Sequence, residues 1–165
     1  MTEILNILID RVADRIPKNY DIEHDKFRYK SDENRSSLYR NSNKKLNIDF
    51  SVDKLNFTDI QVIDPRIVTI SPSCNNELHK HAHESVFYII QGSGEIVIGK
   101  DSLFVSTGDI AFVPRWIFHQ SKNTSDTEDL IILAITDFGL TSAVLGDYDK
   151  RTRLAEKGSD AISAL

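Results

Sequence analysis

At 165 residues the chain suits one domain, long enough to bury a core and to enclose a small-molecule cavity. Its composition is ordinary, 40% hydrophobic and 27% charged, and a formal net charge of −5 with no basic run longer than Lys44-Lys45 argues against nucleic-acid binding. The single cysteine, Cys74, excludes an internal disulfide framework and points to a reducing, cytoplasmic setting.

Residues 3–16 place Ile4, Leu5, Leu8, Val12 and Ile16 at helical spacing, and Pro17 ends the run. The pattern predicts an N-terminal amphipathic helix whose apolar stripe needs cover, either from its own barrel or from a second copy of the chain. Glu3, Asp10 and Arg11 interrupt the apolar residues, so no secretory leader is expected. No run approaches the roughly 18 apolar residues of a membrane span, so no membrane partner is expected either. Residues 18–45 are rich in Asn, Asp, Ser, Lys and Arg, with Phe27, Tyr29, Leu38 and Tyr39 scattered among them. They read as an irregular connection, either a linker or a lid over a barrel mouth.

From residue 46 the pattern becomes β-rich. Leu46–Ser51, Arg66–Ile70, Val86–Ile90, Glu95–Ile98, Leu103–Val105, Ile110–Val113, Phe118–Gln120 and Leu130–Ile135 read as short strands. Gly92-Ser93-Gly94, Gly99-Lys100-Asp101 and Thr107-Gly108-Asp109 supply turn signals between them. Many short strands with frequent turns predict an all-β antiparallel sandwich or barrel, and the absence of an internal repeat predicts one barrel. The expected organisation is an N-terminal helix and polar extension over 1–45, a barrel over 46–138 and a tail over 139–165. Leu154 to Ile162 in that tail has the makings of a short helix.

Three of the five histidines fall within five residues, His79-Lys80-His81-Ala82-His83. On a strand, positions 79, 81 and 83 point the same way, and an i, i+2 pair of imidazoles is well placed to share a metal. His119 follows Pro114-Arg115-Trp116 at the start of another apolar stretch.

The stretch from His79 to Gly92 resembles the first motif of the cupin superfamily, G-x5-H-x-H-x3-E-x6-G, and Gly108, Pro114, His119 and Asn123 resemble the second, G-x5-P-x-G-x2-H-x3-N. The resemblance covers roughly residues 60–136 and implies a single cupin jelly-roll β-barrel. It also implies that His79, His81 and His119 hold one divalent metal. Three motif positions depart: Ser73 and Trp116 stand where the motifs have glycine, and Ser85 stands at the glutamate. Glu84 sits one place early and should face away on a regular strand, unless a bulge re-aims it. His83 is the rival fourth ligand.

Three imidazoles without a carboxylate leave the full +2 charge of the ion and open positions on it, which favours an anionic, chelating small-molecule substrate. Imidazole suits Fe, Zn, Ni and Cu, with Mn also admissible, so the ligand type does not name the ion. Within the family, such sites resemble those of gentisate-type, diketone-cleaving and thiol dioxygenases, which implies Fe(II) and an oxidoreductase. The alternatives are a lyase, isomerase or cyclase using the ion as a Lewis acid, and a non-catalytic small-molecule-binding cupin. Tyr88, Arg66 and Arg115 are further pocket candidates, the arginines for a substrate carboxylate. Trp116 reads either as part of a gentisate-type P-x-W-x2-H element or as a core aromatic. The uncovered helix stripe and the sheet edges point to a homodimer.

Overall fold

The computed structural model of the protein describes residues 34–57, 60 and 62–145. Nine strands lie in this region: β1 (Arg35–Asn43), β2 (Ile48–Leu55), β3 (Asp64–Ile70), β4 (Ser85–Gln91), β5 (Ser93–Ile98), β6 (Asp101–Ser106), β7 (Ile110–Val113), β8 (His119–Asn123) and β9 (Leu130–Thr136). One helix, α1 (Phe138–Leu145), follows. A six-stranded sheet in the order β1-β2-β3-β9-β4-β7 packs against a three-stranded sheet in the order β6-β5-β8. Every named pairing is antiparallel. Each of the eight strand expectations coincides with a strand from β2 to β9.

The period-2 alternation decides the two faces. In β4, Ser85, Phe87 and Ile89 are buried while Val86, Tyr88 and Ile90 are exposed. In β9, Leu130, Ile132, Ala134 and Thr136 turn inward. The core between the sheets joins Phe50, Val52, Ile70, Phe87, Ile89, Ile96, Leu130 and Ile132. Truncating a side chain such as Ile89 to alanine there costs about 2–5 kcal/mol. Two glycines let the backbones close up. A Cβ on Gly92, whose φ is +84°, would meet the Asp129 carbonyl oxygen at 2.6 Å. A Cβ on Gly94 would meet the Lys122 carbonyl oxygen at 2.5 Å, where β5 pairs with β8.

The irregular connection expected up to residue 45 differs over Arg35–Asn43, which forms edge strand β1 against β2. A polar edge strand lacks the apolar alternation that betrays a half-buried one, and polar edges also resist pairing with other chains. Tyr39 is its anchor, packing edge-on against Phe50 with ring centroids 5.5 Å apart. A register shift between Ser37 and Tyr39 and a 3-10 turn at Lys44–Leu46 complete the hairpin. The expected helices at 3–16 and Leu154–Ile162 lie outside the described residues. No helix among the described residues is long and apolar enough to cross a membrane.

Candidate metal centre

His79, His81 and His119 converge, with one ring nitrogen of each within 4.8 Å of the others. His79 and His119 are opposed across an isolated antiparallel bridge: the His79 N–H donates to the His119 carbonyl at 3.1 Å, and the His119 N–H to the His79 carbonyl at 2.8 Å. This reciprocal pair ties the segment before β4 to the first residue of β8. His81 joins them with its ring centroid 4.5 Å from that of His119. The segment carrying His79 and His81 is not a regular strand, so the i, i+2 spacing acts here through a bridge and a loop.

Each imidazole is oriented the same way. The Nδ1 atoms lie 2.8 Å from the Glu77 carbonyl for His79, 2.8 Å from the His83 carbonyl for His81, and 2.9 Å from the Ile117 carbonyl for His119. A carbonyl oxygen only accepts, so the proton belongs on Nδ1 and the Nε2 lone pair is left for the cluster. This is the arrangement that orients metal-ligating histidines. Burial, reinforced by the neighbouring His83 and His119, pushes the His81 pKa down to about 2. Burial also lowers that of His119. Both rings are therefore neutral at pH 7, the form that binds metal. The His119 Nε2 is buried without a hydrogen-bond partner among the described residues. An orphaned acceptor among converging neutral imidazoles fits a divalent ion.

The cluster opens into a cavity of about 60 Å³. Its walls include Phe50, Val68, Phe87, Ser85, His83 and Arg66. Ser85, at the motif's glutamate position, is buried, and its hydroxyl also lacks a partner among the described residues. Among the described residues of the lining, Arg66 is the charged one. Asp64 Oδ2 holds its Nε at 3.1 Å and its Nη2 at 2.6 Å, and its guanidinium lies 4.8 Å from the Phe138 ring centroid. Nη1 has no partner among the described residues.

The other sequence candidates lie elsewhere. His83 lines the cavity, but its ring stacks on His81 with centroids 3.5 Å apart and stands outside the three-nitrogen cluster. Glu84 is exposed and faces Arg115, 3.4 Å away, so no bulge turns it inward. Arg115 also pairs with Asp137 at 2.5 Å, away from the cavity lining. Tyr88 lies on the outward face of β4, because it differs in parity from Ser85. Trp116 is neither core nor cavity wall: it is half-exposed, and its N–H donates to the His81 carbonyl at 2.8 Å. Its φ of +60° and the φ of +56° at Ser73 keep the left-handed conformation that the glycines of the two motifs would adopt freely.

Two scaffold contacts went unread in the sequence. Asn41 Nδ2 on β1 donates to Glu77 Oε1 at 2.5 Å, and Asn76 Oδ1 accepts the Ser121 N–H at 2.8 Å. Both brace the ligand-bearing segment, and neither carries a local sequence signal.

Residues 66–136 match the Cupin_2 family, described as a cupin domain. Over 75 residues, 46% of this chain, the sequence is 23% identical to 1-hydroxy-2-naphthoate 1,2-dioxygenase of Nocardioides sp. (strain KP7). That match spans only 19% of the relative's length. A cupin-2 domain structure from Rhodospirillum rubrum superposes with a TM-score of 0.58 at 19% identity, covering 67% of this chain and 73% of the other. Salicylate 1,2-dioxygenase from Pseudaminobacter salicylatoxidans superposes with a TM-score of 0.54 at 12% identity, covering 59% of this chain and 28% of the other. Residues 66–136 thus match the cupin family model, and the fold is that of a cupin barrel.

Proposed function

We propose that the protein is a metal-dependent cupin enzyme, an Fe(II) dioxygenase acting on a small anionic substrate that chelates the ion. One observation carries this reading: three imidazole nitrogens converge in a cavity whose lining, among the described residues, contains no carboxylate. A divalent ion there would keep its full positive charge until an anionic substrate offset it. When bound, Fe(II) would supply electron exchange between substrate and O₂, chemistry that protein side chains alone do not offer.

The chain's own residues define the rest. His79, His81 and His119 would hold the ion, their tautomers locked by three backbone carbonyls. Arg66 has Nη1 available for a substrate carboxylate, and Asp64 keeps the guanidinium plane in place. The Ser85 hydroxyl can donate to a substrate oxygen and accept from a neighbouring hydroxyl. Phe50, Val68 and Phe87 exclude water from the same space. His83 packs behind His81 and buttresses it.

The cavity of about 60 Å³ beside the three imidazoles suits a short carboxylate with a second donor atom. Within this reading the protein works in the cytoplasm, consistent with its unpaired Cys74, and as a homodimer.

The test is anaerobic loading with Fe(II), followed by oxygen uptake across short keto, hydroxy and thiol carboxylates, diketones, catechols and gentisate. Uptake with a short acid, lost on substitution of His119 and not supported by Zn²⁺, is expected. Turnover of a short acid with Zn²⁺ and no oxygen would replace the reading with Lewis-acid lyase or isomerase chemistry. Tight binding without product under any metal would leave a binding protein.

A further inference from the structure

Two residues hold the buried Arg66 guanidinium. Asp64 Oδ2 takes the edge formed by Nε and Nη2, at 3.1 and 2.6 Å. The Phe138 ring lies 4.8 Å from the guanidinium carbon, within the range of a cation–π contact. Between them they leave Nη1 for the cavity that Arg66 lines.

Phe138 is the first residue of α1, and hydrogen bonds around it set its place. Its N–H donates to Thr136 Oγ1 at 3.2 Å, and the same hydroxyl donates to the Asp64 carbonyl at 3.3 Å. Thr136 stands opposite Asp64 in the β3–β9 register, so one side chain ties together the two residues that flank Arg66. Next in the chain, the Asp137 carboxylate accepts the Glu84 N–H at 2.8 Å, which joins the start of α1 to the segment that carries His81.

The same ring reaches the metal centre. Phe138 meets His83 with centroids 5.5 Å apart and planes at 84°, and His83 stacks on His81. A packed row of Arg66, Phe138, His83 and His81 therefore runs from the cavity guanidinium to a candidate metal ligand. A chelating substrate makes that separation matter, because its carboxylate must meet Arg66 while a second donor atom stays on the ion. A misplacement of about 1 Å in such a pairing costs on the order of a hundredfold in rate.

We propose that Phe138 is a positioning residue for substrate: its ring, seated against Arg66 and His83, fixes the guanidinium at the distance from the metal that a short chelating carboxylate requires. This rests on the reading of Arg66 as the anchor of that carboxylate. Phe138 acts through Arg66 and does not touch the reacting atoms.

The experiment measures the binding of Zn²⁺, and then of glycolate to the zinc-loaded full chain, by calorimetry. Phe138→Leu removes the aromatic face and should weaken glycolate about tenfold, with zinc affinity and the far-UV spectrum unchanged. Phe138→Met, flexible enough to fill the same space, guards against misfolding of the leucine variant and should show the same loss. Phe138→Tyr keeps the face and should bind glycolate within about twofold of the native protein. Native glycolate affinity in the leucine and methionine variants would overturn the role of Phe138 and leave Arg66 as the anchor. So would a parallel loss of zinc and glycolate binding, which marks a merely structural ring, or a tyrosine variant as weak as the leucine one. A native zinc protein that binds no glycolate, or an Arg66→Gln variant that binds it undiminished, would overturn the anchor and the role of Phe138 with it.

Discussion

Replacing His119 by alanine separates a ligand from a merely buried side chain. The ring is almost fully buried, so its loss with the Nδ1 bond to Ile117 costs about 3 kcal/mol. Against that, the variant removes an unpartnered Nε2, a group whose burial costs about 1–3 kcal/mol. The metal-free variant should therefore be only about 1 kcal/mol less stable than the metal-free native protein. The metal changes the comparison. An ion at a hundredfold excess over its Kd stabilises the native protein by about 2.7 kcal/mol, which for a domain of this size raises Tm by roughly 5–10 °C. In the variant that rise should vanish, because two imidazoles remain where three converged. Calorimetry with chelator, then with Fe(II) or Zn²⁺ under argon, reads all four states. A full metal-induced rise in the variant would refute the role of His119 as a ligand. A loss of several kcal/mol in the metal-free variant would refute the reasoning about the orphaned nitrogen.

Three other outcomes are expected. Ser73→Gly relieves a left-handed residue at about 1–2 kcal/mol and loses about 0.5–1 kcal/mol through unfolded-state entropy. Urea unfolding should thus show a net gain of about 0.5–1 kcal/mol, and a loss would contradict the strain. Arg66→Leu leaves the buried Asp64 carboxylate without its cation, so a cost of about 3–5 kcal/mol is expected, smaller when Asp64 is replaced by Asn as well. Equal losses in the single and double variants would argue against the pair. In the metal-free protein, His81 and His119 resist protonation when folded but take a proton near pH 6.5 when unfolded. Their contribution is complete above about pH 6.5 and falls with acid toward the lower folded values, by about 1.4 kcal/mol per pH unit for His81, and His119 acts in the same direction. Stability that stays level from pH 7 to 4 would remove both shifts.

Much of the barrel and the three ligand candidates can be read without coordinates. Strands β2 to β9 announce themselves because alternation and turn residues are local properties of the chain. The motif spacing singles out His79, His81 and His119 because each lies at a set distance from a turn of fixed shape. Tyr88 was expected in the pocket and lies outside it, although its odd separation from Ser85 already puts it on the opposite face of any regular strand.

Other features needed the third dimension. Strand β1 is polar, and only its ladder to β2 and the Tyr39–Phe50 contact make it a strand. Arg66 and Arg115 look alike in sequence, yet one lines the cavity and the other pairs with Glu84 and Asp137 outside it. Alternation says which residues share a face, while the packing of two sheets decides which face is inside. The three carbonyls that orient the imidazoles, the left-handed backbone at Ser73 and Trp116, and the small cavity volume arise the same way. Each depends on where distant segments meet, which is set by the sum of all contacts and by no single stretch of sequence.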